Sequence, residues 1–301
     1  MLQQHADQNS ISKPNRYAFF RGCNIPVRIP HLEAVARLVF QKVGIELIDL
    51  NFGCCPFVGS VRDVSDLDWL KMAALNLVLA EEVGLPIISL CTGCTMTLVE
   101  AKHRLEDKET RAQVNAELAK AGKEYQGKVK VEFFAQTLYA NQENWQELIT
   151  HPLDLRVATH SGCHVLRPSA IMQFDDADNP HKLDDLVNWL GAQAWDYDKK
   201  IECCGGLAFA PFRDKSLNLL RQKIQSMAGA ECLTVVCPTC FTQYDRNQRL
   251  LGKELAWKQM PVLHYLQLLG LALGFSVDEM LIKQNRSCSK EFVGLLEEVV
   301  G

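Results

Sequence analysis

The chain has 301 residues, 48% of them hydrophobic and 23% charged, with a formal net charge of −4. That length accommodates two domains of about 150 residues with full cores, and the slightly acidic balance excludes a nucleic-acid partner. The longest apolar run, around Leu266 to Phe275, is far short of the roughly 20 residues that span a bilayer, so no direct membrane insertion is expected and any membrane contact has to pass through a partner.

Residues 1–15 read MLQQHADQNSISKPN, a polar run without the basic segment and apolar stretch of a secretory leader. A flexible arm on a cytoplasmic protein is expected there. A first domain is expected over 16–151. Its strand signals are YAFF, GIELIDL, PIISL and VKVEFF, and helical periodicity covers HLEAVARLVFQKV and LDWLKMAALNLVLAEEV. Pro152, in the stretch THPLD at 150–154, marks a hinge. In the second domain, 152–276, LRVAT and LTVV repeat the strand signal and PVLHYLQLL reads as an amphipathic helix. Residues 277–301 form a C-terminal extension with a polar lead-in to a helix. Short strands alternating with long helices predict an α/β fold, two tandem pseudo-symmetric domains with mainly parallel sheets flanked by helices.

The cysteines carry the chemistry. Ten of the twelve fall into two sets with one pattern, a single Cys, an adjacent pair and a C-x-x-C: Cys23, Cys54, Cys55, Cys91 and Cys94, then Cys163, Cys203, Cys204, Cys237 and Cys240. The steps are 31 and 36 residues in the first set and 40 and 33 in the second, the mark of a tandem repeat. In an α/β chain Cys23, Cys91, Cys163 and Cys237 fall just after strand ends, where loops converge on a crevice. The C-x-x-C pairs are expected to open helices at Thr95 and Phe241, whose amides favour thiolate charge.

Thiolate selects zinc, copper(I) and iron-sulfur clusters. A disulfide framework fits a small secreted chain, not this one. Structural zinc wants four tetrahedral ligands, which adjacent cysteines suit poorly, and a redox dithiol leaves three thiols of each set unexplained. An iron-sulfur centre offers adjacent cysteines different irons. With five thiols per set, either one is spare or the cluster is more open than a cubane. The compact C-x2-C-x2-C run of a ferredoxin relay is absent.

The segments YAFFRGC, DLNFGCCP, LCTGC followed by EAKHRL, VATHSGCH, ECCGG, VVCPTCFTQYD and PVLHYLQLLGLALG resemble, in order and spacing over residues 16 to 275, the B subunit of heterodisulfide reductase with its cysteine-rich CCG domains. The resemblance implies two non-cubane [4Fe-4S] clusters, each held by one set of five cysteines. It also implies an oxidoreductase subunit that reduces a disulfide, or oxidises thiols, between those clusters. Electrons would pass through a ferredoxin-like C subunit and a flavin-containing A subunit. The loop CCGGLAFAPFRD has fewer glycines than the family's loop, and about 25 residues follow the usual end of the domain. Both departures lean toward the related complex of sulfur oxidisers, in which a lipoyl carrier replaces the small disulfide. A non-catalytic electron-transfer or anchoring subunit of a dehydrogenase complex is the alternative of a different class.

Among single residues, His164 beside Cys163 is the candidate to position or protonate a substrate thiolate, set against a plain hydrogen bond to a cluster sulfur. His103, His160 and His264 read as structural. Arg21, Arg28, Arg167 and Arg213 flank the cysteine loops and could offset cluster charge. Cys232, in a buried strand pattern, and Cys288, near the tail, read as ordinary thiols.

Overall fold

The computed structural model describes residues 15–57, 61–253 and 259–300. Apart from Asn15, the arm expected over 1–15 lies outside the described residues. The first sheet contains β1 (Arg16–Phe20), β2 (Glu46–Ile48), β3 (Ile87–Ser89) and β4 (Val131–Phe133) in the order β2-β1-β3-β4. A second sheet repeats that order as β6-β5-β7-β8, with β5 (Arg156–His160), β6 (Gln193–Trp195), β7 (Cys232–Val235) and β8 (Val262–His264). Every pairing is parallel.

Burial explains the choice. Tyr17, Ala18, Phe19 and Phe20 are buried in succession, as are Val157, Ala158, Thr159 and His160, the signature of central strands covered on both faces. Parallel neighbours need crossovers, which run through helices such as Pro30–Lys42, Asp66–Glu82 and Arg213–Ser226. Pro30 opens the first at N1. Ser65 caps the second, its Oγ accepting from the Asp68 amide at 3.2 Å.

Two strands depart from expectation. Gln193–Trp195 is a three-residue edge strand, too short to show periodicity. The expected helix PVLHYLQLL divides, with Val262–His264 pairing against β7 (Leu233↔Val262) and the helix starting at Tyr265. Every residue from Val262 to Ala272 is buried, and a continuous apolar run cannot separate strand from helix by period.

One core joins the halves: Phe19, Ile88 and Phe134 belong to the same cluster as Leu233, Phe241 and Leu266. Across the junction Phe134 stacks on His264 at 5.3 Å and His31 meets Phe241 at 5.9 Å. The connecting stretch is tied down as well. Thr150 and His151 both donate to the Ala272 carbonyl, at 2.9 and 3.1 Å, and the Leu153 amide donates to Leu190 at 2.8 Å. The C-terminal residues pack on the second sheet, where Ser287 donates to Asp245 and accepts from the Val262 amide, at 2.9 and 3.0 Å. Among the described residues no helix is long and apolar enough to cross a membrane.

In both sheets the chain leaves the central strand to one side and returns on the other. Such a reversal opens a crevice beyond the carboxyl ends of the two middle strands, β1 and β3 or β5 and β7.

Candidate metal centre

Each crevice receives one cysteine set. Cys23 and Cys91 follow β1 and β3, Cys163 and Cys237 follow β5 and β7, and the adjacent pairs lie on the loops after β2 and β6. Cys91 and Cys237 are the N-caps of the helices Thr92–Arg104 and Pro238–Asp245. These helices therefore begin three residues before the expected starts at Thr95 and Phe241. A C-x-x-C spanning N-cap to N3 turns both sulfurs to the end of the helix, where amides are free and the dipole favours negative charge.

The two crevices merge into one cavity of about 110 Å³, several times the roughly 10–15 Å³ that one water needs. Nine of the ten cysteines line it, the exception being Cys54, together with Arg21, Phe57, Thr92, His164, Leu207 and Thr239. Within it the sulfurs touch. Cys204 and Cys240 lie 3.4 Å apart, and thiol contacts run from Cys54 through Cys55, Cys94 and Cys91 to Cys237 and Cys240, and on through Cys204 and Cys203 to Cys163. The first set meets the second at Cys91 and Cys237.

This crowding governs protonation. Cys94 is pushed up by its hydrogen bonds to Cys55 and Cys91 and by burial, and Cys240 by its bonds to Cys204 and Cys237 and by burial. Two thiols move the other way, Cys55 beside Cys94 and Cys237 beside Cys240. So many buried thiols cannot all ionise against one another unless a cationic centre sits among them, because metal binding and deprotonation are coupled. The donor set fits iron-sulfur clusters: all-sulfur, in two groups, with backbone amides already aimed at it. The Gly205 and Gly206 amides donate to Cys203 and Cys204, each at 3.3 Å, the concave arrangement of amides that suits anionic sulfur.

The glycine before each lone cysteine is demanded by geometry. Gly22 and Gly162 have φ of +68° and +79°, and a Cβ on Gly22 would lie 2.9 Å from the Cys94 Sγ. Gly22→Ala should therefore cost about 1–2 kcal/mol in backbone strain alone and displace the Cys94 sulfur. Iron content measured after anaerobic loading should fall in this variant, and an unchanged content would count against the placement of Cys94.

His164 lines the cavity, with Nδ1 3.5 Å from the Cys163 Sγ and its ring edge-on to Phe57 at 4.9 Å; burial holds its basicity below the ordinary value. Of the four arginines Arg21 lines the cavity, while Arg167 bonds Asp178 at 3.2 Å, Arg213 lies over Phe209 at 5.6 Å, and Arg28 accepts on its carbonyl from Arg246. His103 is exposed beside Glu106. His264 caps its helix, Nδ1 accepting from the Leu266 amide at 3.4 Å. Cys232 and Cys288 stand apart from the cavity, both pushed up by burial, Cys288 to about 12.

Sequence reasoning missed Lys223 and undervalued His160. Lys223 is fully buried and its Nζ meets His160 Nδ1 at 3.0 Å. Burial lowers Lys223 to about 8 and His160 to about 3. The available signal was position: Ser216, Leu220, Lys223 and Ile224 form the buried stripe of their helix, so a lysine stands where a core residue is expected.

The family model of the cysteine-rich CCG domain matches residues 17–99 and again 157–245. The B subunit of the ferredoxin/F420H2-dependent CoB-CoM heterodisulfide reductase of Methanosarcina acetivorans is 37% identical over 94% of this chain and 98% of its own length. The chain belongs to the family of heterodisulfide reductase B subunits. Within that family, a protein of Archaeoglobus profundus described as like the heterodisulfide reductase B subunit is 37% identical over 88% of this chain and 93% of its own. Another relative carries a different name: the 8-methylmenaquinol:fumarate reductase membrane anchor subunit of Wolinella succinogenes is 33% identical over 89% of this chain and 96% of its own. A crystal structure of a hypothetical protein from Helicobacter pylori shares the fold, with a TM-score of 0.73 at 18% identity over 91% of this chain and 52% of that one.

Proposed function

We propose that the protein is the iron-sulfur subunit of an oxidoreductase complex, reducing a disulfide or oxidising two thiols between two non-cubane [4Fe-4S] clusters. Cys23, Cys54, Cys55, Cys91 and Cys94 would hold one, and Cys163, Cys203, Cys204, Cys237 and Cys240 the other. The observation that carries this reading is the single cavity into which both cysteine sets open, meeting at Cys91 and Cys237. Bound there, the clusters would supply or accept one electron each, the two that one disulfide requires.

The balance is R–S–S–R′ with two electrons and two protons giving two thiols. The chain's residues supply the rest. Phe57, Leu207, Thr92 and Thr239 line the cavity and limit water around a bound sulfur. His164 stands on the cavity wall, where a ring N–H can hold a substrate sulfur as thiolate or hand it a proton. With no ferredoxin-type motif in this chain, electrons travel through other subunits, a ferredoxin-like C subunit and a flavin-containing A subunit. The substrate is a small disulfide or a lipoyl-bound sulfur.

The Wolinella relative supports a second reading, an electron-transfer or anchoring subunit. The readings part on substrate. Anaerobically loaded protein is expected to contain about eight iron, two four-iron clusters, with no stoichiometric zinc, and to change its electron paramagnetic resonance signal when a dithiol is added to the oxidised form. Four iron or fewer, or bound zinc, would sink the two-cluster reading. A full iron complement with a signal indifferent to dithiols and disulfides would leave the anchoring role.

A further inference from the structure

The two cysteine sets share topology but not surroundings. His160 and Phe20 are counterparts, each the last residue of a five-residue central strand and three residues before the lone cysteine. Phe20 packs on Phe52 at 5.0 Å. Among the described residues no lysine or arginine of the first half is buried. Beneath the second set the fully buried Lys223 has three acceptors: His160 Nδ1 and the Lys200 carbonyl, each at 3.0 Å, and the Glu202 carbonyl. An ammonium has three donors and no acceptor, so this site is filled by the charged form.

That bond also decides the His160 tautomer. Nδ1 accepts from Lys223, so the ring proton of the neutral imidazole sits on Nε2. Nε2 is buried without a partner, while a ring nitrogen of His160 and the Sγ atoms of Cys204 and Cys240 lie within 4.8 Å of one another. With Nδ1 taken by Lys223, Nε2–H is the ring donor left over, on a residue that sits beside these sulfurs. Tyr244 packs against the same imidazole in a T-shaped contact, the ring centroids 5.4 Å apart.

We propose that the Lys223–His160 pair makes the two centres unequal: it gives the second set a buried positive charge and an N–H donor to sulfur, so the centre held there has the higher reduction potential and takes the first electron. This rests on the two-cluster reading above. One electron added to either centre increases its negative charge by one unit. A cation and an N–H donor stabilise that added charge, and the apolar floor at Phe20 does not. A substrate bound between the sets would thus meet one centre reduced before the other.

The pair is a positioning and tuning element, and a potential tests it. Wild-type holoprotein is titrated with dithionite and mediators under electron paramagnetic resonance, and the second set's signal is assigned as the one that survives in Cys54→Ala. In Lys223→Met that centre's reduction equilibrium should fall at least tenfold, a 59 mV drop for one electron, with the first centre unmoved. His160→Phe should lower the same midpoint while keeping Lys223, and His160→Gln, which keeps an N–H donor, should restore most of it. Fully loaded variants with both midpoints unchanged would overturn the proposal and leave the two-cluster reading standing. Loss of the second set's iron in both Lys223→Met and His160→Phe would overturn it too, making the pair an anchor for the Cys203–Cys204 loop. Absence of iron from the wild-type protein would instead remove the reading beneath it.

Discussion

Replacing Cys204 with alanine is expected to remove about half of the bound iron and to abolish turnover, while Cys288→Ala and Cys232→Ala keep the full complement. Cys204 is buried, 3.4 Å from Cys240, and accepts from the Gly206 amide. Its loss removes a sulfur from the cavity and leaves that amide unpaired, a cost of about 1–3 kcal/mol even before metal is considered. Cys54→Ala provides the contrast. Cys54 is exposed, so its substitution should spare the stability of iron-free protein and lower only that of the loaded form, since metal affinity is itself folding energy. Iron per chain after anaerobic reconstitution, with thermal unfolding of both forms, checks each arm. Equal iron loss from Cys288→Ala would contradict the division into ligands and bystanders.

The gathering of the ten cysteines, with Cys232 and Cys288 apart, was legible in the sequence because it is a matter of spacing. The strand signals at 17–20, 86–90, 155–159 and 233–236 put Cys23, Cys91, Cys163 and Cys237 at strand ends, where β1, β3, β5 and β7 deliver them. What spacing could not show is local and three-dimensional. Thr92 and Gly93 look like loop residues, yet they form the first helical turn because Cys91 is the N-cap, and Gly93 is the one residue that leaves room for the Phe57 ring, which a Cβ would meet at 2.6 Å. Val262–His264 pairs as an edge strand through register with β7, a long-range fact hidden inside an apolar run. Lys223 and His160 are 63 residues apart in the chain. Nothing in either local pattern announces that they meet under a cysteine cluster.

The meeting of the two sets carries a second large effect, on removal of the metal. Iron-free protein exposed to oxygen is expected to lose its capacity to take up iron until it is reduced. The contact chain places Cys204 against Cys240 and Cys91 against Cys237. Exchange and oxidation proceed through the thiolate, and in the Cys91–Cys237 contact the acceptor, Cys237, is held below the ordinary thiol value by its neighbours. Oxygen takes two electrons and two protons from each pair, leaving one disulfide and reduced oxygen. A Cys91–Cys237 bond would also staple the halves across a loop of more than 100 residues, which by the chain-entropy argument stabilises the fold by about 4–5 kcal/mol. The oxidised, iron-free protein should therefore melt at a higher temperature than the reduced iron-free protein while refusing iron. Peptide mapping after blocking free thiols should find the new crosslinks among the ten clustered cysteines, with Cys232 and Cys288 still free, and a thiol reductant should restore loading. Full iron uptake by air-exposed protein without reductant, or crosslinks that engage Cys232 or Cys288, would show that the two sets do not meet as described.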